Sequence, residues 1–266
     1  MTLSSELRSL IDANRPLWAG EAEVVRTYWT SPVRTRETDL RWLRYQCRKE
    51  FWDSFADVNK GLYLEPLERL LAAFPKIDTE VDRHEILDVA EMFLAEFSHY
   101  VAFADVYDAI RGETDPKMNP HVLREMGDLP ENAELARLRA EHRKQHGALG
   151  LRACEITEGG YCALFSEGMQ LAGRGGVDEQ IAAACRAVYD DEFLHMLRGI
   201  LNLDQESLRA PDWELLRRLT REQMQARIRM RNAQFSHPVS EERIREIFAG
   251  RIQPVAFDYE RAQLGA

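Results

Sequence analysis

The chain has 266 residues, 45% hydrophobic and 30% charged, proportions that suit a globular protein with one sizeable core. With 35 Lys and Arg against 45 Asp and Glu, the formal charge is −10. General affinity for nucleic acid or an anionic membrane is therefore not expected, because such surfaces repel an acidic protein, and a small molecule is the more natural partner.

The first residues, Met1 to Arg8, contain no basic stretch leading into an apolar one, and no later segment approaches the length of uncharged apolar sequence that a membrane span needs. A cytoplasmic protein is expected. Cys47, Cys154, Cys162 and Cys185 are scattered through apolar helical runs with no Cys-x-x-Cys pair, so they read as reduced core residues.

In chain order, three- and four-residue apolar spacing dominates and predicts an all-α fold. A leader with Pro16 and Trp18 precedes a first long helix, Glu37 to Lys60, marked by Leu40, Leu43, Cys47, Phe51, Phe55 and Val58. A short helix from Pro66 to Phe74 is stopped by Pro75. Thr79-Glu80-Val81-Asp82 resembles a capping box and opens a second long helix through Ile110.

The stretch from Glu113 to Pro130 holds three prolines and Gly127 and reads as a crossover connection. A third long helix is expected from Ala133 to Leu171, with kinks at some of its five glycines. After the turn at Gly173-Arg174-Gly175-Gly176 a fourth runs from Val177 to Leu203, a fifth from Pro211 to Gln234, and a short one from Ser240 to Phe248.

Two copies of Glu-x-x-His stand out: Glu96-Phe97-Ser98-His99 on the second long helix and Glu192-Phe193-Leu194-His195 on the fourth. Residues three apart share a helix face, so each copy presents a carboxylate beside an imidazole. Both pairs continue an apolar stripe, Val89 and Met92 before the first and Ile181, Cys185 and Val188 before the second. Burying such groups is sensible only where a metal or a well-made ion pair satisfies them.

A glutamate from each of two further helices would complete a dinuclear site. Glu158 is the candidate on the third helix, 34 residues before Glu192 with the Gly-rich turn near the midpoint, and Glu155 is the fallback. On the first helix Glu50 interrupts the stripe of Leu43, Cys47 and Ser54, while Asp57 and Glu65 compete with it.

The order Glu50, Glu96-x-x-His99, Glu158, Glu192-x-x-His195 resembles the ferritin-like di-iron carboxylate superfamily, over about Glu37 to Leu203. The resemblance implies a single domain over residues 1–266, a ferritin-like four-helix bundle whose metal-binding core spans 37–203, and additional short and C-terminal helices, with 211–266 as an extension. It implies two iron ions, manganese being the other metal that such hard ligands suit. Glu96 and Glu192 would be bridging, catalytic carboxylates.

The activity implied is a di-iron oxygenase or oxidase that uses dioxygen to hydroxylate, N-oxygenate, desaturate or cleave a small metabolite. A ferritin-type iron store and a non-enzymatic helical bundle are the other readings. The position four residues before the last motif, histidine in the N-oxygenases of the superfamily, is Val188 here, and the radical tyrosine position of the ribonucleotide reductases is Phe103. Tyr100, Tyr107 and Tyr161 are candidates to line the site.

No nucleotide-binding Gly-x-Gly-x-x-Gly or Walker loop is present, so electrons must come from an external donor such as a ferredoxin or flavin reductase, or from the substrate. A homodimer is one assembly this reading permits. The arginines of the fifth helix read as a solvated face rather than a site for an acidic substrate or reductase, and His142 with His146 as wet surface rather than a metal pair.

Overall fold

The computed structural model describes residues 3–51, 64–157 and 160–257, apart from the side chains at 64–67, 195, 198 and 205. These residues form helices and turns and no strand, the all-α class that the periodicity predicts. The helices are α1 Ser5–Trp29, α2 Arg36–Phe51, α3 Leu64–Ala73, α4 Arg83–Ile110, α5 Pro120–Glu125, α6 Pro130–Thr157, α7 Ala163–Gly168, α8 Gly176–Asn202, α9 Ala210–Gln234 and α10 Glu241–Phe248. No described helix is long and apolar enough to cross a membrane. The chain divides into two compact units, Met1–Thr35 with Leu129–Ala266, and Arg36–Asp128.

In the first unit, the segment read as a leader is a 25-residue helix. Ser4 caps it by accepting from the Leu7 N–H at 3.1 Å. Leu7, Leu10, Ile11, Leu17, Trp18 and Val25 then build a buried stripe through Pro16. A proline inside a helix costs about 3 kcal/mol, so packing against α9 and α7 has to hold α1 together across that break.

The third helix breaks at one of its expected glycines, and its expected extent to Leu171 is corrected. At Gly147 the backbone takes φ +53 and ψ −123, a conformation that glycine alone adopts cheaply, and the two arms of α6, 130–146 and 148–157, fold back on each other. Arg139 Nη2 thereby reaches the Thr157 carbonyl at 2.8 Å. The approach is close enough that a Cβ on Gly150 would lie 2.1 Å from the carbonyl oxygen of His142. Turns at 160–162 then separate α6 from α7, so no single rod reaches Leu171.

This unit contains a fully buried polar cluster and a second one that reaches the surface at Glu222. Glu21, fully buried on α1, accepts from Arg227 Nε at 3.0 Å and from Arg231 Nε at 3.2 Å, both arginines on α9 and both buried. Burial opposes the charged carboxylate, but the two guanidiniums outweigh it and hold Glu21 below its ordinary range. The solvated reading of the α9 arginines holds for Arg218 and Arg229, which pair at the surface with Glu222 and Glu241, and fails for these two.

In the second cluster, Thr157 Oγ1 donates to Gln223 Oε1 at 2.6 Å, Gln223 Nε2 meets His142 Nδ1 at 3.0 Å, and His142 Nε2 lies 3.1 Å from Glu222. His142 is therefore buried, not wet surface. The four cysteines are buried, as expected of core residues.

The second unit packs α4 against α2 and α3, with α5 against α2. Asp82, not Thr79, caps α4, accepting from the His84 N–H at 2.7 Å. Leu40, Trp42, Leu43 and Cys47 of α2 meet Phe103, Val106 and Tyr107 of α4, with Trp42 edge-on to Phe103 at 6.1 Å. The crossover contains α5, whose first residue Pro120 is preceded by the capping Asn119. Residues 52–60 of the expected first helix lie outside the described residues.

Two outcomes are expected. Glu21→Ala leaves two buried guanidiniums short of their carboxylate and lowers unfolding stability by about 3–5 kcal/mol, read from urea melts. For His142, burial pushes the imidazole below its ordinary pKa against the pull of Glu222. The folded state then binds its proton later than the unfolded chain, so this contribution is full above about pH 6.5 and is lost as pH falls through the folded value. Relative to His142→Gln, the wild type should lose stability on acidification below that point, and parallel pH curves for the two proteins would contradict the assignment.

Candidate metal centre

Leu40, Leu43 and Cys47 turn one face of α2 into the core, and one turn further on the same face comes Glu50. On α4, His99 lies one turn and Glu96 two turns before the buried Phe103, so the packing of α2 on α4 carries all three polar groups to one place. The ligand atoms of Glu50, Glu96 and His99 all lie within 4.8 Å of one another. His99 is buried and both glutamates are half-buried.

His99 Nδ1 stands 3.6 Å from Glu96 Oε2, an ion-pair distance too long for a hydrogen bond. Gln46, a turn before Glu50 and buried, donates its amide to Glu50 Oε1. Burial pushes the Glu50 carboxyl up, and the neighbouring Glu96 charge pushes the same way. Together they outweigh His99, Lys49 and the Gln46 hydrogen bond.

The donor set fits a hard divalent cation. Two carboxylates and one imidazole are the ligand types that iron and manganese accept. With metal–ligand bonds of about 2.0–2.2 Å, two ligands on one ion can be no more than about 4.4 Å apart, so the observed spread closes with small side-chain adjustments.

Tyr100 is edge-on to Phe51 at 5.3 Å and lies 5.9 Å from Phe97, and burial pushes its hydroxyl up to about 12. Cys47 is fully buried, its thiol pushed well up by burial and then by Glu50, which keeps it protonated. Tyr107 is committed elsewhere: its hydroxyl accepts from Arg44 at 3.1 Å and donates to the Pro116 carbonyl at 3.1 Å. Tyr161 belongs to the first unit, stacked on Trp18.

The other expected ligands are placed less completely. Glu192 is half-buried on α8, next to the buried Phe193, and His195 follows three residues later on the same unbroken helix, its side chain outside the described residues. Glu158 and the competing Asp57 also lie outside the described residues, as does the side chain of Glu65 at the start of α3. Glu155, the fallback, pairs with Arg152 at 2.8 Å. Gln46 was not anticipated; its four-residue spacing from Glu50 was the available signal.

Two carboxylates sharing a half-buried site repel each other when no cation is bound. Glu50→Gln removes one charge and keeps an acceptor for Gln46. It should therefore raise the unfolding stability of metal-free protein at neutral pH by about 1 kcal/mol, a gain characteristic of sites built for function, and a loss in chemical denaturation would show Glu50 to be structural.

No protein-family model, curated protein or solved structure matches the chain.

Proposed function

We propose that the protein is a non-haem di-iron oxygenase or oxidase of ferritin-like type, acting with dioxygen on a small-molecule metabolite. The observation that carries this reading is the convergence of Glu50, Glu96 and His99 from two helices onto one half-buried point. Its second support is the repeat of the same Glu-x-x-His spacing on α8, at Glu192 and His195. In this reading Glu50, Glu96 and His99 hold one metal, Glu158, Glu192 and His195 supply the rest of the set, and Glu96 and Glu192 are the catalytic carboxylates.

Bound iron would supply the one- and two-electron chemistry with dioxygen that amino-acid side chains lack. The chain's own groups have narrower tasks. Gln46 orients the Glu50 carboxylate through its hydrogen bond. Phe51 and Tyr100, next in the chain to Glu50 and His99, pack edge to face at 5.3 Å and tie the two ligand-bearing helices together there. The Tyr100 hydroxyl, raised to about 12, stays protonated and remains a hydrogen-bond donor through the neutral range. A cytoplasmic location, a homodimer and a ferredoxin or flavin reductase as electron donor belong to the same proposal.

The alternative is a non-enzymatic iron-binding or structural bundle. The Glu21 cluster favours giving it a hearing, since there a buried acid is satisfied by arginine alone. Anaerobic Fe(II) loading followed by Mössbauer spectroscopy separates the readings. Two irons per chain are expected in the wild type, with marked loss in Glu96→Ala and in Glu192→Ala. Unchanged iron in both variants would reject the ligand assignment, and iron uptake that grows beyond two per chain on exposure to dioxygen would favour storage.

A further inference from the structure

The first unit contains a cavity of about 530 Å³, a size within the range of small-molecule sites. It uses none of the residues assigned to the metal. One wall is the half-buried Tyr161, backed by Trp18, which lies parallel to it at 4.7 Å and near Phe257 at 6.1 Å. Tyr161 is braced from another side by the edge of Phe193 at 5.4 Å. Alanines at 19, 22 and 163 leave the volume open.

The polar part of the wall is balanced in sign. Glu23 of α1 accepts two hydrogen bonds from Arg243 of α10, at 2.6 and 2.8 Å. One turn along α1, Arg26 donates to Glu167 of α7 at 3.0 Å. These contacts hold Glu23 below its usual carboxylate range and raise both arginines, so all are charged at neutral pH. All four side chains keep contact with solvent, and pairs of that kind contribute at most about 1 kcal/mol, so they can change partners at little cost.

We propose that this cavity binds a small aromatic zwitterion, the class to which the aromatic α-amino acids belong. The ring packs against the half-buried Tyr161 and the alanines of the wall, which together accept a planar apolar body. The ligand carboxylate takes an arginine of the rim and its ammonium a glutamate, two opposite charges presented one helical turn apart on α1. A ligand with a single charge satisfies one side of the rim only. The Trp18 indole N–H, buried and without an acceptor among the described residues, lies in the same wall.

Isothermal titration calorimetry of the full chain with L-phenylalanine as the probe tests this, with phenylacetate and phenethylamine as single-charge controls. One L-phenylalanine per chain is expected, and each control should bind about 10-fold more weakly, the effect of losing one charged contact. Ala22→Leu should abolish binding by filling the cavity, and Arg243→Gln, at the rim, should weaken it about 10-fold without altering the circular dichroism spectrum. No heat from L-phenylalanine with correctly folded protein overturns the proposal. Undiminished binding to Ala22→Leu would place the ligand elsewhere, and phenylacetate binding as tightly as L-phenylalanine would reject the zwitterion. Each readout is independent of iron.

Discussion

A carboxylate taken out of water must find compensating charge, and this one constraint organises both units of the protein. In the first unit it is met internally. Glu21 comes from a helix whose middle contains a proline, and its partners come from α9, more than two hundred residues later. Helices α1 and α9 cannot pack around that carboxylate unless the guanidiniums arrive with it. The cluster therefore fixes the register of the pair as well as neutralising it, the role for which buried charge networks have the best support.

Glu50 meets the same constraint with the opposite result. Two arginines outweigh burial at Glu21, whereas at Glu50 burial and the neighbouring Glu96 outweigh an imidazole, a lysine and an amide. One carboxylate is held below its ordinary range and the other above it. A chain able to supply arginine to a buried acid in one place has, in the other, gathered a second acid and a histidine instead. That choice is expensive for an apoprotein and sensible for a protein that takes up a cation, which is why the functional reading attaches to Glu50, Glu96 and His99 rather than to the better-sealed Glu21.

The all-α class, most helix positions and the Glu50, Glu96, His99 grouping were legible in the sequence because each depends on local spacing. Glu50 could be picked from its interruption of an apolar stripe, and Glu96 with His99 from their separation by one turn. What escaped depends on partners distant in the chain. The segment containing Pro16 reads as a leader, yet its Asn14 is buried against Thr220 and its Glu21 against Arg227 and Arg231. His142 sits among charged neighbours and gives no hint of Gln223. Five glycines marked the third helix as breakable, but only the close approach of Gly150 to His142 selects Gly147 as the reversal.

The position of the Glu50 cluster along α4 adds a last consequence. Beyond His99 the helix is well packed, with Phe103, Val106 and Tyr107 buried, whereas before it Leu87, Met92, Leu94 and Phe97 are exposed. The three ionisable groups thus lie where a firmly held half of the helix meets a thinly covered one. Local stability is low at such a boundary, and elements that bind and respond are drawn from that end of the stability range. A cation ligated there would bind the folded arrangement and not the opened one, so its binding free energy would be added to this part of α4 by mass action. On the proposed function, the repulsion between Glu50 and Glu96 and the thin cover of α4 would have a common origin: both would be relieved by the cation that the site is proposed to take up.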